Sequence, residues 1–515
     1  MLTTGAATSR PRGDGARRGL ACVAAALAAA CAGYYLSGGP RWLAAGLDAV
    51  GPLHVLALAA GVLCLLAILR RPEAGLVLLA AVLYTNLSEV AVRSYGVPSL
   101  LQLLAAAVVA GWALRKLSGD GVRPGMVFDP LLFPAVAYCA VVLLSTLVAR
   151  DTALADERLA EHLKGLAVFL IVTNLATTRA TLRRVVWALV LSGAFLGAVS
   201  VVQVLTRSYG SEFGGFGRVK LAQIVGGVRE PRIAGPLSDP NFYAQMLVAL
   251  VPLALYRAWD ERRAVLKGLG VLALALIGGA LVFTYSRGGA VAAGLVLALA
   301  ALDKKVRLRL VLPAVALVVL LLLWAPAQFG GRLETLERLL PDEDEGAVTV
   351  HAESSFEQRK LLMQTAWEMF DAHPIVGVGA GNYSEHFDEF SAHVGSATPS
   401  YENFAERRYP HNLYLEVAAE TGTLGLVAFL LMVGGALLSA LVAARHFRYK
   451  GDPGAASLAS SVALALAGYL ASSLFLHGHY IQHLWLLVAL AAAARNVSRA
   501  GPAGGSFEKT PIPSL

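Results

Sequence analysis

Charged residues are scarce in this chain of 515 residues. They make up 15% of the sequence, whereas apolar residues make up 57%, and the mean hydropathy is +0.61. This composition lies far outside the range of soluble domains and excludes an ordinary soluble globular fold. It predicts a polytopic membrane protein.

Cysteine is also scarce. The four cysteines all lie within apolar runs, at Cys22, Cys31, Cys64 and Cys139. This pattern indicates neither a disulfide framework nor a thiolate metal site.

Apolar runs of about 20 residues predict transmembrane helices. There are fourteen such runs, at roughly 20–38, 51–69, 74–92, 100–114, 130–149, 162–176, 184–205, 241–257, 265–284, 288–302, 308–326, 422–443, 456–476 and 482–496. Three of them are short, so twelve or thirteen crossings are also compatible with the pattern if one run is re-entrant. The predicted fold class is an all-α polytopic membrane protein with about 12–14 transmembrane helices and one long outer loop containing short helices.

Basic residues predict the orientation of these helices. With the N-terminus inside, every predicted inner segment is basic, including Arg70-Arg71, Arg183-Arg184 and the cluster from Lys304 to Arg309. Both termini are therefore predicted to be cytoplasmic. The net charge of +8 is explained by this topology, and no nucleic-acid partner is predicted.

The N-terminal stretch resembles a secretory signal, with basic residues, an apolar run and Ala30-Cys31-Ala32. Its removal would invert the charge bias of every later loop, so it is interpreted as an uncleaved signal anchor. The predicted organisation is a disordered cytoplasmic tail (1–18), helices 1–11 (19–326), a large outer loop (327–421), helices 12–14 (422–497) and a second disordered tail (498–515).

Two outer loops are long enough to carry function. The loop at 206–240 is glycine-rich and basic, and it predicts an anion-binding surface formed by Arg207, Arg218, Lys220, Arg229 and Arg232. The loop at 327–421 is acidic, and the apolar spacing from Phe356 to Phe370 predicts an amphipathic helix. The glycines from Gly377 to Gly381 that follow are interpreted as a structural turn rather than as a nucleotide-binding loop.

The chemistry is predicted where the second loop re-enters the membrane. There Pro410-His411-Asn412 is followed after nine residues by Gly422-Thr423-Leu424-Gly425. An imidazole at this boundary can take or give a proton near neutral pH. The alternative is that His411-Asn412 only begins a helix and the glycines allow close packing.

Arg287 is the second candidate, because it sits between two apolar runs with almost no loop to carry it into water. It is either an interface anchor or a guanidinium that binds phosphate or pyrophosphate. Asp239-Pro240-Asn241 reads as the start of a helix, with Asp239 as its cap. An outward-facing helix N-terminus beside Arg232 would add affinity for an anion.

The spacing His411-Asn412-x9-Gly422-x2-Gly425 resembles the signature of the bacterial O-antigen ligase and polymerase superfamily. Other landmarks of the superfamily agree in order and spacing over about residues 130–490, at Pro240-Asn241, Ser286-Arg287-Gly288-Gly289, and Arg359, Trp367, His373-Pro374 and Gly377-Val378-Gly379. The resemblance implies transfer of a glycan from an undecaprenyl-pyrophosphate carrier at the periplasmic face of the bacterial inner membrane. No nucleotide sugar, cofactor or metal is implied.

The resemblance also implies roles for individual residues. His411 would accept the proton of an acceptor sugar hydroxyl that attacks the anomeric carbon, while Arg232 and Arg287 neutralise charge on the leaving pyrophosphate. Asn412 would orient His411 or a sugar hydroxyl. Further substrate-binding candidates are Asn241, Arg218, Arg229, Glu420 and His479. Glu420 is either a partner that supports the residues of the site or only a charge at the helix mouth. The implied partners are the lipid-linked donor, membrane lipid, and lipid A-core or a growing polysaccharide as acceptor.

Several alternatives stay open. Ligases of this superfamily often carry an Arg-x3-Leu motif in the basic outer loop, and no arginine there has leucine four residues on. A polymerase of repeat units is therefore an alternative to a ligase, and a lipid-linked glycan flippase or carrier is a third. His477-Gly478-His479 could bind zinc, but the sequence shows no firm third ligand, and no metal site is predicted.

Overall fold

The computed structural model describes residues 52–118, 127–223, 229–304, 349–394 and 408–500. These residues fall into two compact units, the first containing 52–75 and 106–118 and the second containing all the others. The predicted tail 1–18 and the predicted spans 20–38 and 308–326 lie outside the described residues.

Fifteen α-helices occur in the described part of the chain. The first ten are α1 (Pro52–Arg70), α2 (Pro72–Tyr84), α3 (Leu87–Tyr95), α4 (Leu100–Leu117), α5 (Leu132–Ser145), α6 (Thr152–Leu175), α7 (Arg179–Leu205), α8 (Pro240–Asp260), α9 (Ala264–Phe283) and α10 (Arg287–Asp303). The remaining five are α11 (Thr349–Ala372), α12 (Tyr383–Ser391), α13 (Leu413–Tyr449), α14 (Pro453–Ser472) and α15 (Gln482–Arg499). The predicted all-α polytopic fold class is confirmed.

Six of the described helices are long and apolar enough to cross a membrane, namely α4, α7, α8, α9, α13 and α14. A seventh crossing is possible if α2 and α3 form one span, since they meet at an angle of 62°. The break between them falls at Asn86, which adopts a left-handed conformation with φ of 55°. The run 74–92 is therefore bent rather than straight. The total of 12–14 crossings stays a prediction.

The second unit is built around α8, in which every residue from Tyr243 to Ala258 is buried. A helix that is apolar on all sides belongs in the interior of a bundle. It packs against α9 and α14, while α15 packs against α6 and α13. The alanines, serines and glycines of α14 permit close approach, since Gly468 lies directly against Val248 and Val296.

Loops predicted to be on the inner side meet at one end of this bundle. Arg183 is ion-paired with Glu261 at 2.5 Å, and Lys304 with Asp260 at 2.7 Å. Loops predicted to be outer also meet, since Arg150 pairs with Glu389 at 2.8 Å. The alternation of inner and outer loops agrees with these contacts, whereas the side that faces the cytoplasm stays a prediction.

The basic outer loop contains a β-hairpin that was not predicted from the sequence. Strands β1 (Arg218–Gln223) and β2 (Arg229–Gly235) pair antiparallel, with Lys220 opposite Arg232. Alternation of charged and apolar residues at Arg218-Val219-Lys220-Leu221 is the signal that predicts a strand here. The strand was missed because this alternating pattern is short and is flanked by glycine-rich sequence.

The acidic outer loop contains the predicted amphipathic helix, which the structure extends to α11. Its buried face consists of Leu361, Leu362, Thr365, Ala366 and Met369. Trp367 lies outside this stripe and is 54% exposed. The buried face packs against α12 and against Val378 and Ala419, so the two outer helices form a small core on the N-terminal turns of α13.

Helix α13 is broken at Gly422, and a strap of residues 374–382 crosses it at the break. The strap pairs with both sides of the break, because Val378 N donates to Ala419 O at 2.9 Å and Thr423 N donates to Pro374 O at 2.7 Å. Gly422 has φ of 63° and ψ of −166°, a region essentially restricted to glycine. A Cβ at Gly422 would lie 2.3 Å from the carbonyl carbon of Ile375.

We expect Gly422→Ala to lower the free energy of unfolding by about 3 kcal/mol or more, because it adds both backbone strain and a clash with the strap. Thermal unfolding of the purified protein in detergent measures this change. Gly434→Ala is the matched control, because it lies in the same helix and has no atom within 4 Å of the position that a Cβ would take. Equal stability of the two variants would contradict the expectation.

Candidate functional site

His411 lies immediately before α13, at the outer end of the bundle. Its backbone is left-handed, with φ of 50°, so the chain turns sharply between the preceding loop and the helix. The imidazole meets the ring of His477 edge-on, with 5.4 Å between centroids. Tyr409 stacks on the ring of His477 at 4.0 Å. His411 is therefore held between the re-entering loop and the α14–α15 loop.

Asn412 is the N-cap of α13. Its side-chain Oδ1 accepts hydrogen bonds from Tyr414 N at 3.0 Å and Leu415 N at 3.1 Å, and its Nδ2 donates to Leu474 O at 3.2 Å. The interpretation of His411-Asn412 as the start of a helix is confirmed for Asn412. Both ends of this amide bind the protein itself, so Asn412 orients His411 through the backbone that joins them.

Positive charge surrounds His411. Burial, followed by the charges of Arg359 and Lys220, lowers the pKa of His411 from its ordinary value to about 4, although Asp239 opposes the shift. The imidazole is consequently neutral at pH 7 and has a lone pair available to accept a proton.

Arg287 and Arg359 come from different helices and are close enough for their charges to interact. Both side chains are exposed, and neither has an ion pair with any described residue. Arg287 is the first residue of α10, whose N-cap Ser286 accepts a hydrogen bond from Gly289 N at 3.3 Å. Two neighbouring guanidinium groups at an exposed helix N-terminus favour binding of an anion.

Arg232 joins three elements. Its Nε donates to Thr284 O at 3.0 Å, and its Nη2 lies 3.1 Å from Asn241 Oδ1 and 3.4 Å from Tyr285 O. The side chain thereby ties the β-hairpin to the start of α8 and to the turn before Arg287. The structure therefore brings Arg232 and Asn241 next to the turn that precedes Arg287.

The rest of the basic loop is arranged around the start of α8. Asp239 caps this helix by accepting from Asn241 N at 2.7 Å, so its predicted role as a helix cap is confirmed. Lys220 lies 3.6 Å from the same carboxylate. Arg218 donates to Ser238 Oγ at 2.8 Å. Arg229 is described only as the first residue of β2, opposite Gln223, and its side chain lies outside the described part of the structure.

His479 lies elsewhere, in a buried cluster with Tyr138, His162 and Glu420. Its Nδ1 lies 2.5 Å from Tyr138 Oη and 2.9 Å from His162 Nε2, and its Nε2 lies 3.3 Å from Glu420 Oε2. The residue is 0% exposed. Complete burial leaves its side chain no surface for direct contact with a sugar, and supports a positioning role in place of the predicted substrate contact.

Two buried glutamates complete this cluster. Glu416 Oε2 accepts from Gly478 N at 2.5 Å, and one oxygen from each of Glu416 and Glu420 lies within 4.8 Å of His479 and of the other. With His479 they form a group of three buried residues, each offering one ligand atom, that could hold a metal ion, and His477 is not part of it. The prediction that the protein has no metal site stays a prediction. The spacing of two glutamates one helical turn apart in an apolar helix is the signal that marks the cluster.

Glu420 also holds the strap. It is 1% exposed, and its Oε2 accepts from Gly381 N at 2.7 Å while its Oε1 accepts from Tyr383 N at 3.4 Å. The carboxylate thus lies against the N-terminus of α12, where negative charge is favoured. Of the two roles left open for Glu420, a partner within the protein interior agrees better with this burial than a charge at the helix mouth.

An apolar helix bundle with a histidine and arginine site at one end defines a polytopic membrane protein with a polar centre at the membrane boundary. Residues 244–430 match the family model described as O-antigen ligase, which supports the resemblance to the O-antigen ligase superfamily. The comparison with curated proteins finds no match for the chain. The family implies a glycan-transferring enzyme of ligase or polymerase type.

The matched region contains His411, Asn412, Arg287, Arg359 and Glu420. It leaves the basic hairpin, Asn241 and His479 outside. The family match therefore covers the histidine and arginine centre but not the hairpin.

We expect Glu420→Gln to lower the free energy of unfolding by about 2 kcal/mol, because the amide turns a donor toward one of the N–H groups that the carboxylate accepts from. Thermal unfolding in detergent and proteolysis of the outer loop both report this loss. Glu385→Gln, at an exposed position of α12, is the matched control. A Glu420→Gln variant as stable as this control would show that the strap does not depend on the carboxylate.

Proposed function

We propose that this protein transfers a glycan from undecaprenyl pyrophosphate to an acceptor hydroxyl at the periplasmic face of the bacterial inner membrane. The observation that carries the proposal is the neutral imidazole of His411 near the exposed guanidinium of Arg359, which in turn lies near that of Arg287. This combination supplies a base for the acceptor and a binding site for the pyrophosphate within one polar centre.

In the proposed reaction the acceptor oxygen attacks the anomeric carbon of the donor sugar. His411 takes the hydroxyl proton while the bond between the anomeric carbon and the pyrophosphate oxygen breaks. Arg287 and Arg359 stabilise the negative charge that grows on the leaving undecaprenyl pyrophosphate. A single displacement of this kind inverts the anomeric centre.

Arg232 has a positioning role in this proposal. It makes hydrogen bonds to Thr284, Tyr285 and Asn241, so it sets the turn from which Arg287 projects. Its positive charge still adds to the potential at the pyrophosphate. In this proposal Arg359, together with Arg287, neutralises the charge on the leaving pyrophosphate. The resemblance had implied that role for Arg232.

The bound donor is expected to increase the basicity of His411. Arg359 lowers the pKa of His411 in the absence of an anion, and a pyrophosphate between the arginines would offset that charge. The base would then be strongest when the donor is in place. No nucleotide sugar takes part in the proposed step.

A ligase is the first candidate, with lipid A-core as the acceptor. A polymerase joining repeat units uses the same chemistry and differs only in the acceptor, so the experiment below separates the two. A carrier would use ionisable groups along a path through the bundle. The buried cluster around His479 is the group of ionisable residues that most resembles such a path. Its side chains, however, make their hydrogen bonds to other groups of the protein.

We expect His411→Ala and Arg287→Ala to abolish complementation of a strain that lacks this gene, because each removes a group acting on the reacting atoms. Lipopolysaccharide and secreted polysaccharide are analysed on gels at matched membrane levels of each variant. Carrier-linked long glycan with unmodified lipid A-core indicates a ligase, and products with a single repeat indicate a polymerase. His393→Ala and Arg262→Ala, both at exposed positions, are the matched controls.

Full complementation by His411→Ala would overturn its assignment as the base. Loss of function in the two exposed control variants would indicate that the assay reports membrane insertion rather than transfer.

We also expect the acid limb of kcat/KM to lie well below pH 6.5, because the pKa of His411 is lowered to about 4 and the base must be neutral. Arg359→Gln removes a charge that lowers this pKa, so the limb should move to higher pH. Initial rates with purified lipid-linked glycan across pH measure the shift, with Arg262→Gln as control. A limb that stays in place, or moves to lower pH, would contradict the coupling between Arg359 and His411.

A further inference from the structure

A cavity of about 580 Å³ lies at the outer end of the second unit. Its walls come from the bend between α2 and α3, the start of α4, the first half of α6, the start of α8 and the α14–α15 region. None of the roles assigned above uses this space.

Three residues that line the cavity each have a buried side-chain atom with no hydrogen-bond partner among the described residues. These atoms are Arg158 Nε, Tyr469 Oη and His483 Nε2. The three residues are 7%, 2% and 8% exposed. Buried polar atoms are normally satisfied, so three orphaned atoms around one cavity point to a polar occupant.

The charge of the cavity wall disfavours an anion. Two bases, Arg158 and Lys164, face four acids at Glu89, Glu157, Glu161 and Asp239. Lys164 is further neutralised by its ion pair with Glu161 at 2.6 Å. A phosphate would therefore meet more negative than positive charge.

The remaining wall chemistry suits a polyhydroxylated ligand. Side-chain amides and hydroxyls, which both donate and accept hydrogen bonds, come from Asn86, Ser88, Gln102, Ser238 and Gln245. Tyr480 and Phe242 add flat apolar surfaces, and Arg158 covers one face of the Tyr480 ring at 3.8 Å. Carboxylates, amides and aromatic faces together match the hydroxyl groups and apolar faces of a sugar.

The cavity adjoins the site of transfer. Phe242 lines the cavity and meets the ring of His477 at 5.0 Å, and His477 in turn meets His411 at 5.4 Å. Asp239 lines the cavity as well and interacts electrostatically with His411. The ring of His477 thus lies between Phe242 in the cavity wall and the proposed base.

We propose that the cavity binds a neutral saccharide portion of the substrate, separately from the arginines that bind pyrophosphate. This inference rests on the proposed function, which it deepens by assigning a place to the sugar. The saccharide comes from either the donor glycan or the acceptor, and the two share the chemistry described here.

The experiment places a bulky side chain in the cavity by substituting a residue at its edge. Gln102 lines the cavity and is exposed, whereas its neighbour Leu103 is 60% exposed and does not line it. The full-length protein in lipid nanodiscs is assayed as wild type, Gln102→Trp and Leu103→Trp. The probes are lipid-linked glycan and acceptor lipid, both extracted from cells that lack this protein, and sugar-free undecaprenyl pyrophosphate as a competitor.

We expect Gln102→Trp to raise KM for one of the two glycan probes at least tenfold and to leave inhibition by sugar-free undecaprenyl pyrophosphate unchanged. A rise for the lipid-linked glycan assigns the cavity to the donor, and a rise for the acceptor lipid assigns it to the acceptor. Leu103→Trp should match wild type. Unchanged KM for both probes in Gln102→Trp would overturn the proposal and leave only water in the cavity.

Tyr469→Phe provides a second variant that is expected to fold, because it removes only the orphaned hydroxyl. We expect KM for the same probe to rise about fivefold without loss of thermal stability. A purely structural role of the hydroxyl would instead lower stability and leave KM unchanged.

Direct binding separates this inference from the proposed function. Native mass spectrometry of each variant with the lipid-linked glycan and the acceptor lipid detects binding without turnover. If the wild type binds a probe but does not transfer it, and Gln102→Trp loses that binding, the proposed function fails while the saccharide site stands. Equal binding of both probes to wild type and Gln102→Trp would overturn the saccharide site even in an active enzyme.

Discussion

The break in α13 at Gly422 is the constraint on which the outer part of this protein depends. An uninterrupted helix would satisfy its own amide and carbonyl groups and offer none to a neighbour. Because the helix breaks, Ala419 O and Thr423 N pair with the strap at residues 374–382. The strap in turn fixes α11 and α12, which carry Arg359 and the small outer core. One glycine conformation therefore sets both the end of the helix that follows His411 and the position of an arginine facing it.

Buried charge is the second organising feature. An apolar bundle tolerates ionisable groups only where partners replace the water they lose. Glu420 meets this requirement with backbone N–H groups from the strap and with His479, and Glu416 meets it with Gly478 N. The exposed arginines at the site boundary retain access to solvent instead. The protein thus separates charges that stabilise its interior from charges that remain available to a ligand.

Local features were predictable because they depend on residues close in sequence. Asp239 caps α8 and Asn412 caps α13, because each side chain accepts hydrogen bonds from backbone amides two or three residues later. The amphipathic spacing predicted α11. Other features were missed because they depend on tertiary contacts. The hairpin depends on pairing between two separate strands, and the position of Arg232 follows from carbonyl groups about fifty residues away.

The sequence by itself determined the membrane class, the helical periodicity, the superfamily signature and the chemical identities of the candidate base and arginines. These properties follow from composition and from spacing along the chain. Only the tertiary structure decided that Arg359 interacts with His411, that His479 is buried, and that Glu416 and Glu420 join it. The physical reason is that burial and electrostatic coupling depend on distances between helices, and helix packing sets those distances independently of separation in sequence.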